Sequence, residues 1–401
     1  MTARSWTYLA ILLALVFHGA LLPFTYGQTY DSYIHMFFGN HYLTSWFDPW
    51  ETRWYTGFTV TAYPPGSHQA LAILMRFMDM RIAFIALQLL AIGILIIGVF
   101  RFSRLWVNDK AASYAAMLCA FSTSISETLH IFGQLPTLLS IALFLNAIPH
   151  ISSWIEHGRK KDFVLALFLT AATTSVHHVT PLFGTVFFVA PIGIAALFAN
   201  LKRREPSKPR GKIAYLRWAS PALIRGIVMG IGMLFLIITI VFPYWHWSIT
   251  DPITQVSIPH GSRENFIAKP NLGLMFFVIP WGMLIAVVPY VIFKSTRTPL
   301  WPLGISVLIA LFLGTGGTTP FPRILLGPAF EILTLDRFTF WASILILPFV
   351  GLAVQSLWEG RGKILLNRAF GSFLSRAAMT QRPAWRSRSP NHLLHNWHHS
   401  L

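Results

Sequence analysis

Asp31 and His35 stand four residues apart just beyond the first apolar stretch, so on a helix they would share one face. A carboxylate there can take a proton from a hydroxyl or ligate a cation, and an imidazole one turn on can orient it or hold substrate. The plainer alternative is that Asp31 caps a helix at the membrane surface. Glu127 and His130, one turn apart before Gly133-Gln134-Leu135-Pro136, form a second candidate pair. Ionisable residues at membrane depth face a cavity or one another, while the structural alternative is a helix-end pair at the interface. His177 and His178 fall in a tight turn ahead of Thr180-Pro181, but adjacent histidines point in different directions on a helix, so no metal site is expected there. A late stretch, GTGGTTPFPRILLGPAFEILTLDRF, carries Arg323 and the Asp336-Arg337 pair. An arginine at a helix start adds charge to free N–H groups, which suits phosphate; the alternative has Asp336 capping the helix and Arg337 marking its boundary.

The elements that would position these residues cross a membrane. The chain has 401 residues, 54% hydrophobic and 11% charged, against roughly 25% charged in soluble domains, and apolar runs of about 20 residues recur along it. The pattern predicts an all-α polytopic protein with ten spans, at about 6–24, 81–101, 111–131, 135–155, 163–178, 179–201, 225–245, 273–293, 299–315 and 338–357. The apolar segment 67–78 is too short to cross and is expected to be re-entrant or interfacial. With the N-terminus in the cytoplasm, 24 of the 31 Lys and Arg fall on the inner side, as the positive-inside rule requires. Both termini are then cytoplasmic, and the loops 25–67, 246–272 and 316–337 share the outer face. The acidic residues lean to that outer face. Since Asp and Glu contribute little to topology, their bias asks for a functional reason.

The net charge of +17 lies in short clusters between spans, which is topology rather than a nucleic-acid footprint. The one cysteine, Cys119, excludes an internal disulfide and a CxxC metal site. No nucleotide-binding or metalloprotease motif is present. The aromatics Trp46, Phe47, Trp50, Trp54, Tyr55 and Phe58 suit anchoring at the membrane interface and also stacking on sugar rings. Residues 1–357 read as the membrane domain and 358–401 as a basic cytoplasmic tail, expected to be disordered.

The aromatic loop opening at Asp31, the Tyr63-Pro64-Pro65 element and the late Arg337 together resemble the GT-C superfamily of polytopic glycosyltransferases, over about 1–357. More closely, AYPPG (62–66), HIFGQLPT (130–137), GTTPFPR (317–323) and LDRFTFW (335–341) are similar to bacterial membrane proteins described as 6-pyruvoyl-tetrahydropterin synthase-related. The pterin chemistry itself is not expected, because it needs a zinc-binding histidine set on a soluble scaffold. The GT-C resemblance implies transfer of a sugar from a polyprenyl-phosphate donor, with inversion, at the outer face of a bacterial inner membrane. By resemblance Asp31 is the catalytic acid position, assisted by His35. Arg337 and Arg323 bind the donor phosphate, and Tyr63, Trp54, Glu127 and His130 line the substrate site. A second acidic residue beside Asp31 is missing from the sequence. No cofactor is required by this reading, and a divalent cation is compatible with it. The alternatives from other classes are a transporter or flippase of a lipid-linked glycan, with Glu127, His130 and His177 along its path, and a non-catalytic assembly subunit. Oligomeric state is not legible.

Overall fold

Short side chains that accept from free N–H groups set several helix starts. Thr2 caps α1 (Ala3–Thr25) by accepting from the Ser5 N–H. The chain then passes through a tight turn into α2 (Ser32–Thr44), a two-residue hairpin of β1 (Trp50–Glu51) and β2 (Phe58–Thr59), and α3 (Gly66–Met75). The strands are antiparallel, with Trp50 opposite Thr59 and Glu51 opposite Phe58. Asp79 caps α4 (Met80–Ser103), and Asn108 caps α5 (Asp109–Cys119). There follow α6 (Thr123–Glu127), α7 (Leu135–His157), α8 (Lys160–Val176), α9 (Val179–Gly184), α10 (Ala190–Arg203) and α11 (Lys212–Thr250). The last third holds α12 (Pro270–Gly273), α13 (Ile279–Trp281), α14 (Val288–Ser295), α15 (Trp301–Leu313), α16 (Phe321–Leu326), α17 (Asp336–Leu345) and α18 (Leu347–Trp358). This computed structural model describes residues 2–54, 56–60, 64–207, 211–250 and 259–360. The expected disordered tail therefore lies almost wholly outside the described residues.

Among the described residues seven helices are long and apolar enough to cross a membrane: Ala3–Gln28, Met80–Ser103, Leu135–His157, Val179–Arg203, Trp218–Pro243, Pro270–Ser295 and Asp336–Trp358. The protein is a multi-pass membrane protein. Three of the ten expected spans are not continuous helices of crossing length. The segment 111–131 breaks after Cys119, because its Ser- and Thr-rich stretch turns hydroxyls onto its own backbone, as Thr128 does to the Ser124 carbonyl. The expected span 163–178 is α8, which stops at Val176 where His177 turns extended. The span expected at 299–315 is α15, whose 13 residues reach about 20 Å.

The buried centre is α4 against α7, with Leu87, Ala91 and Leu95 facing Leu138, Ile141 and Leu145 in one core cluster. By contrast α11 leaves Ile227, Ile231, Leu234, Phe235 and Ile238 exposed, an apolar surface that belongs in acyl chains. Close approach follows small residues, as membrane helices require: Ala111, Ala112, Ala115 and Ala116 bury one side of α5, where Gly351 meets the Ala111 carbonyl. Contacts mark residues up to Gln355 as one unit and 356–401 as another.

The seam that seats the Asp31 segment is specific. The N–H groups of Tyr30 and Asp31 donate to the carbonyls of Ile131 and Phe132 at 3.1 and 2.9 Å. Gly133, at φ +70°, turns the chain beside it, and a Cβ there would lie 2.4 Å from the hydroxyls of Thr29 and Ser32. Gly133→Ala is therefore expected to cost about 1–3 kcal/mol from backbone strain and crowding. A fall in the thermal unfolding temperature of the purified protein checks this, and an unchanged transition would refute it.

Candidate functional site

Asp31 occupies the cap position of α2, yet its carboxylate makes no hydrogen bond to the first-turn N–H groups. The capping alternative is thus not realised. The side chain is half-buried instead, and burial, followed by the nearby charge of Asp336, pushes its carboxyl up to about 6. Asp336 is thus a second carboxylate within electrostatic reach of Asp31. It is distant in sequence and comes from the start of α17, where Leu335 rather than Asp336 holds the cap position. One Asp336 oxygen, Oδ1, is buried with no hydrogen-bond partner among the described residues.

Glu127 closes α6 and is also reached by the Asp336 charge. Its side chain is buried, and Oε1 has no partner among the described residues. The turn that follows, Thr128–Phe132, is a π-turn, one residue wider than an α-turn. It separates the expected pair. Glu127 faces a narrow cleft, whereas His130 turns to α1, with Nε2 2.9 Å from His18 Nδ1 and Nδ1 2.8 Å from Thr25 Oγ1. Glu127, Gln134, Thr137, Phe276, Asp336 and Arg337 are among the residues lining that cleft.

Arg337 is half-buried at the cleft and makes no hydrogen bond or ion pair with any described residue. Its charge bears on His177, His178 and His260. Burial, with Arg263 and Arg337, holds His260 below its usual range against the opposing pull of Asp336. A guanidinium without a protein carboxylate, at the start of a membrane helix, is a ready seat for an oxyanion. Asp336 lines the same cleft, and its charge reaches the Asp31 carboxyl, which titrates near 6. Together they can hold a phosphate and accept a proton from a hydroxyl.

The other expected site residues are placed as follows. His35 is buried, with Nδ1 3.0 Å from His68 Nε2. Burial lowers His35 to about 3 and His68 well below its ordinary value, so both imidazoles are neutral and one donates to the other. Arg323 lies exposed in the late loop, 3.3 Å from Glu331 and stacked on Phe330, and does not line the cleft. Trp54 packs edge-on against Phe37 and Phe58, each with centroids 5.8 Å apart. Tyr63 lies outside the described residues. Cys119 is buried, as an inert core thiol should be.

The aromatic loop has a structural anchor of its own. Arg53 grips buried Glu51 with Nε and Nη2 at 2.8 and 2.7 Å, and His41 Nδ1 approaches the same carboxylate at 3.0 Å. The Arg53 hydrogen bonds dominate in holding Glu51 down at about 2. A lowered carboxyl contributes stability above its unfolded value of 4.5, and that contribution is lost as pH falls toward 2. Glu51→Gln is expected to cost about 1–3 kcal/mol at neutral pH, and the deficit should close on acidification below pH 4. Thermal melts of both proteins across that range decide it, since a pH-independent difference would mean the ion pairing contributes nothing.

Sequence reasoning set Asp336 beside Arg337 as part of an anion cradle or as a helix cap but did not pair it with Asp31, and it passed over His260. The outward bias of the acidic residues was the available signal, but pairing across some 300 positions is not written in spacing. Among the described residues no three of His, Cys, Asp and Glu are arranged to hold a metal ion; the carboxylates present do not form a donor set for the divalent cation, and no step is assigned to one.

No protein-family model matches the chain, and no curated protein matches it. Among solved structures it is similar to an archaeal oligosaccharyltransferase, AglB from Archaeoglobus fulgidus, determined in complex with an inhibitory peptide and a dolichol-phosphate. The TM-score is 0.47 at 13% identity, covering 94% of this chain and 54% of that one. The chain thus spans about half the length of that structure.

Proposed function

We propose that the protein is a membrane glycosyltransferase that moves a sugar from a polyprenyl-phosphate donor to an acceptor hydroxyl, of the GT-C kind. The observation that supports this reading is an uncapped, half-buried Asp31 within reach of the charge of Asp336, which lines a cleft with an Arg337 that has no protein counter-ion among the described residues. In the proposed step the acceptor O–H gives its proton to the Asp31 carboxylate, and the acceptor oxygen attacks the anomeric carbon from the face opposite the leaving group. The bond from that carbon to the phosphate oxygen breaks, and the electron pair leaves on the polyprenyl phosphate, held by Arg337. Glu127 would hydrogen-bond a donor sugar hydroxyl, since its Oε1 is buried without a partner among the described residues. The half-exposed Trp50 and the exposed Phe47 would offer sugar-stacking faces on the hairpin loop. This reading places the cleft at the outer face of a bacterial inner membrane, with both termini in the cytoplasm. It keeps the closer likeness to the 6-pyruvoyl-tetrahydropterin synthase-related membrane proteins on the short motifs alone.

The transporter alternative needs Glu127, His130 and His177 on one path. They occupy three settings: the cleft, the α1 histidine, and a hydrogen bond to Thr180 at 3.1 Å. The test is turnover in detergent with a panel of radiolabelled polyprenyl-phosphate sugars and simple acceptors. Release of polyprenyl phosphate with a new glycosidic product supports the proposal. Saturable donor binding with no product under any acceptor would overturn it in favour of transport or a scaffold.

A further inference from the structure

At the opposite end of the helices from the cleft is a much larger cavity, of about 870 Å³. It lies where two apolar spans that begin near the cleft, Val179–Arg203 and Pro270–Ser295, come to their far ends. Lys202 and Arg297 sit on its walls, and neither makes an ion pair with a described residue; Arg297 is stacked 4.4 Å over Phe293. Below them the lining turns apolar, with Phe198, Leu300 and Trp301. Trp106 and Ser295 also contribute to the lining.

We infer that this cavity is a binding site for an anionic phospholipid, distinct from the donor cleft. The two cations match the oxygens of a phosphodiester, and the apolar wall matches the first methylenes of its acyl chains. The position at the ends of two spans is the depth at which lipid headgroups lie, and indoles favour that level. A volume of about 870 Å³ is too large for a lone ion and fits a headgroup with its glycerol. A basic pocket between span ends is a recurrent way to hold such lipids. The site needs no assumption about the chemistry at Asp31.

The experiment uses the full chain, purified and reconstituted in nanodiscs of phosphatidylcholine with or without phosphatidylglycerol, and read by native mass spectrometry for retained lipid. Wild type should keep phosphatidylglycerol and not phosphatidylcholine. Each cation near an anionic headgroup contributes about fivefold in affinity, so Lys202→Ala with Arg297→Ala should weaken retention about thirtyfold. Equal retention by the variants, or of both lipids by wild type, would overturn the inference. So would displacement of the lipid by soluble glycerol phosphate at comparable concentration, since the ligand would then be a free phosphate.

Discussion

Asp31→Asn is expected to reduce glycosyl transfer by about 10²- to 10⁴-fold, the range for loss of a positioned general base, with donor binding little changed. Asparagine keeps the shape and one acceptor oxygen but cannot take the acceptor's proton. The wild-type rate should rise with pH through about 6, because a base must be deprotonated and burial with Asp336 places the Asp31 carboxyl there. Stability runs the other way. A carboxyl whose folded value is raised above its unfolded 3.8 favours the fold while protonated, and that contribution is lost as pH rises through 6. Asp31→Asn should therefore melt at the same or a higher temperature than wild type at neutral pH, while being inactive. Loss of activity with a lower melting temperature would point instead to a structural Asp31. Equal turnover in both proteins would remove Asp31 from the mechanism. The second carboxylate supplies a control: Asp336→Asn should move the midpoint of the pH–rate profile below 6, since it removes one of the two causes that raise it.

Arg337→Ala should lower kcat by about 100- to 1000-fold, the scale for deleting one preorganised group that stabilises developing negative charge, and weaken donor binding as well. Lysine should rescue only part of this, because it keeps the charge but not the planar fork that matches a phosphate. The contrast that makes the prediction specific is Arg323. It is exposed and already paired with Glu331, so Arg323→Ala should change the rate by less than about fivefold, as for a surface ion pair. Steady-state rates at saturating and limiting donor separate the two effects. A large defect at Arg323 with a small one at Arg337 would move the phosphate seat out of the cleft and into the late loop.

The burial of the two groups explains why one position can dominate. Arg337 has no carboxylate partner among the described residues, so an incoming anion does not have to displace one. The buried His35–His68 pair is neutral. Neutral imidazoles there add hydrogen-bonding capacity without competing charge.

The sequence by itself determined that this protein lives in a membrane. Twenty-residue apolar runs, and cationic residues confined to the turns between them, leave no soluble alternative, because every backbone N–H must be satisfied inside the bilayer. It also singled out Asp31, Glu127 and Arg337, since polar residues beside apolar spans are costly and stand out against them. What only the tertiary structure decided was which of them meet. Helical periodicity paired Asp31 with His35 and Glu127 with His130, whereas the structure sets His35 against His68 and His130 against His18. The deep burial that couples His35 to His68 belongs to α2 against α3, and the π-turn after Glu127 shifts His130 round toward His18. The carboxylate that Asp31 lacked in its own segment arrives from α17, some 300 residues on, at the turn where that helix begins. Spacing reports neighbours within one helix turn. Contacts between helices depend on how their ends are stacked, and that information is spread over every packed face of the bundle.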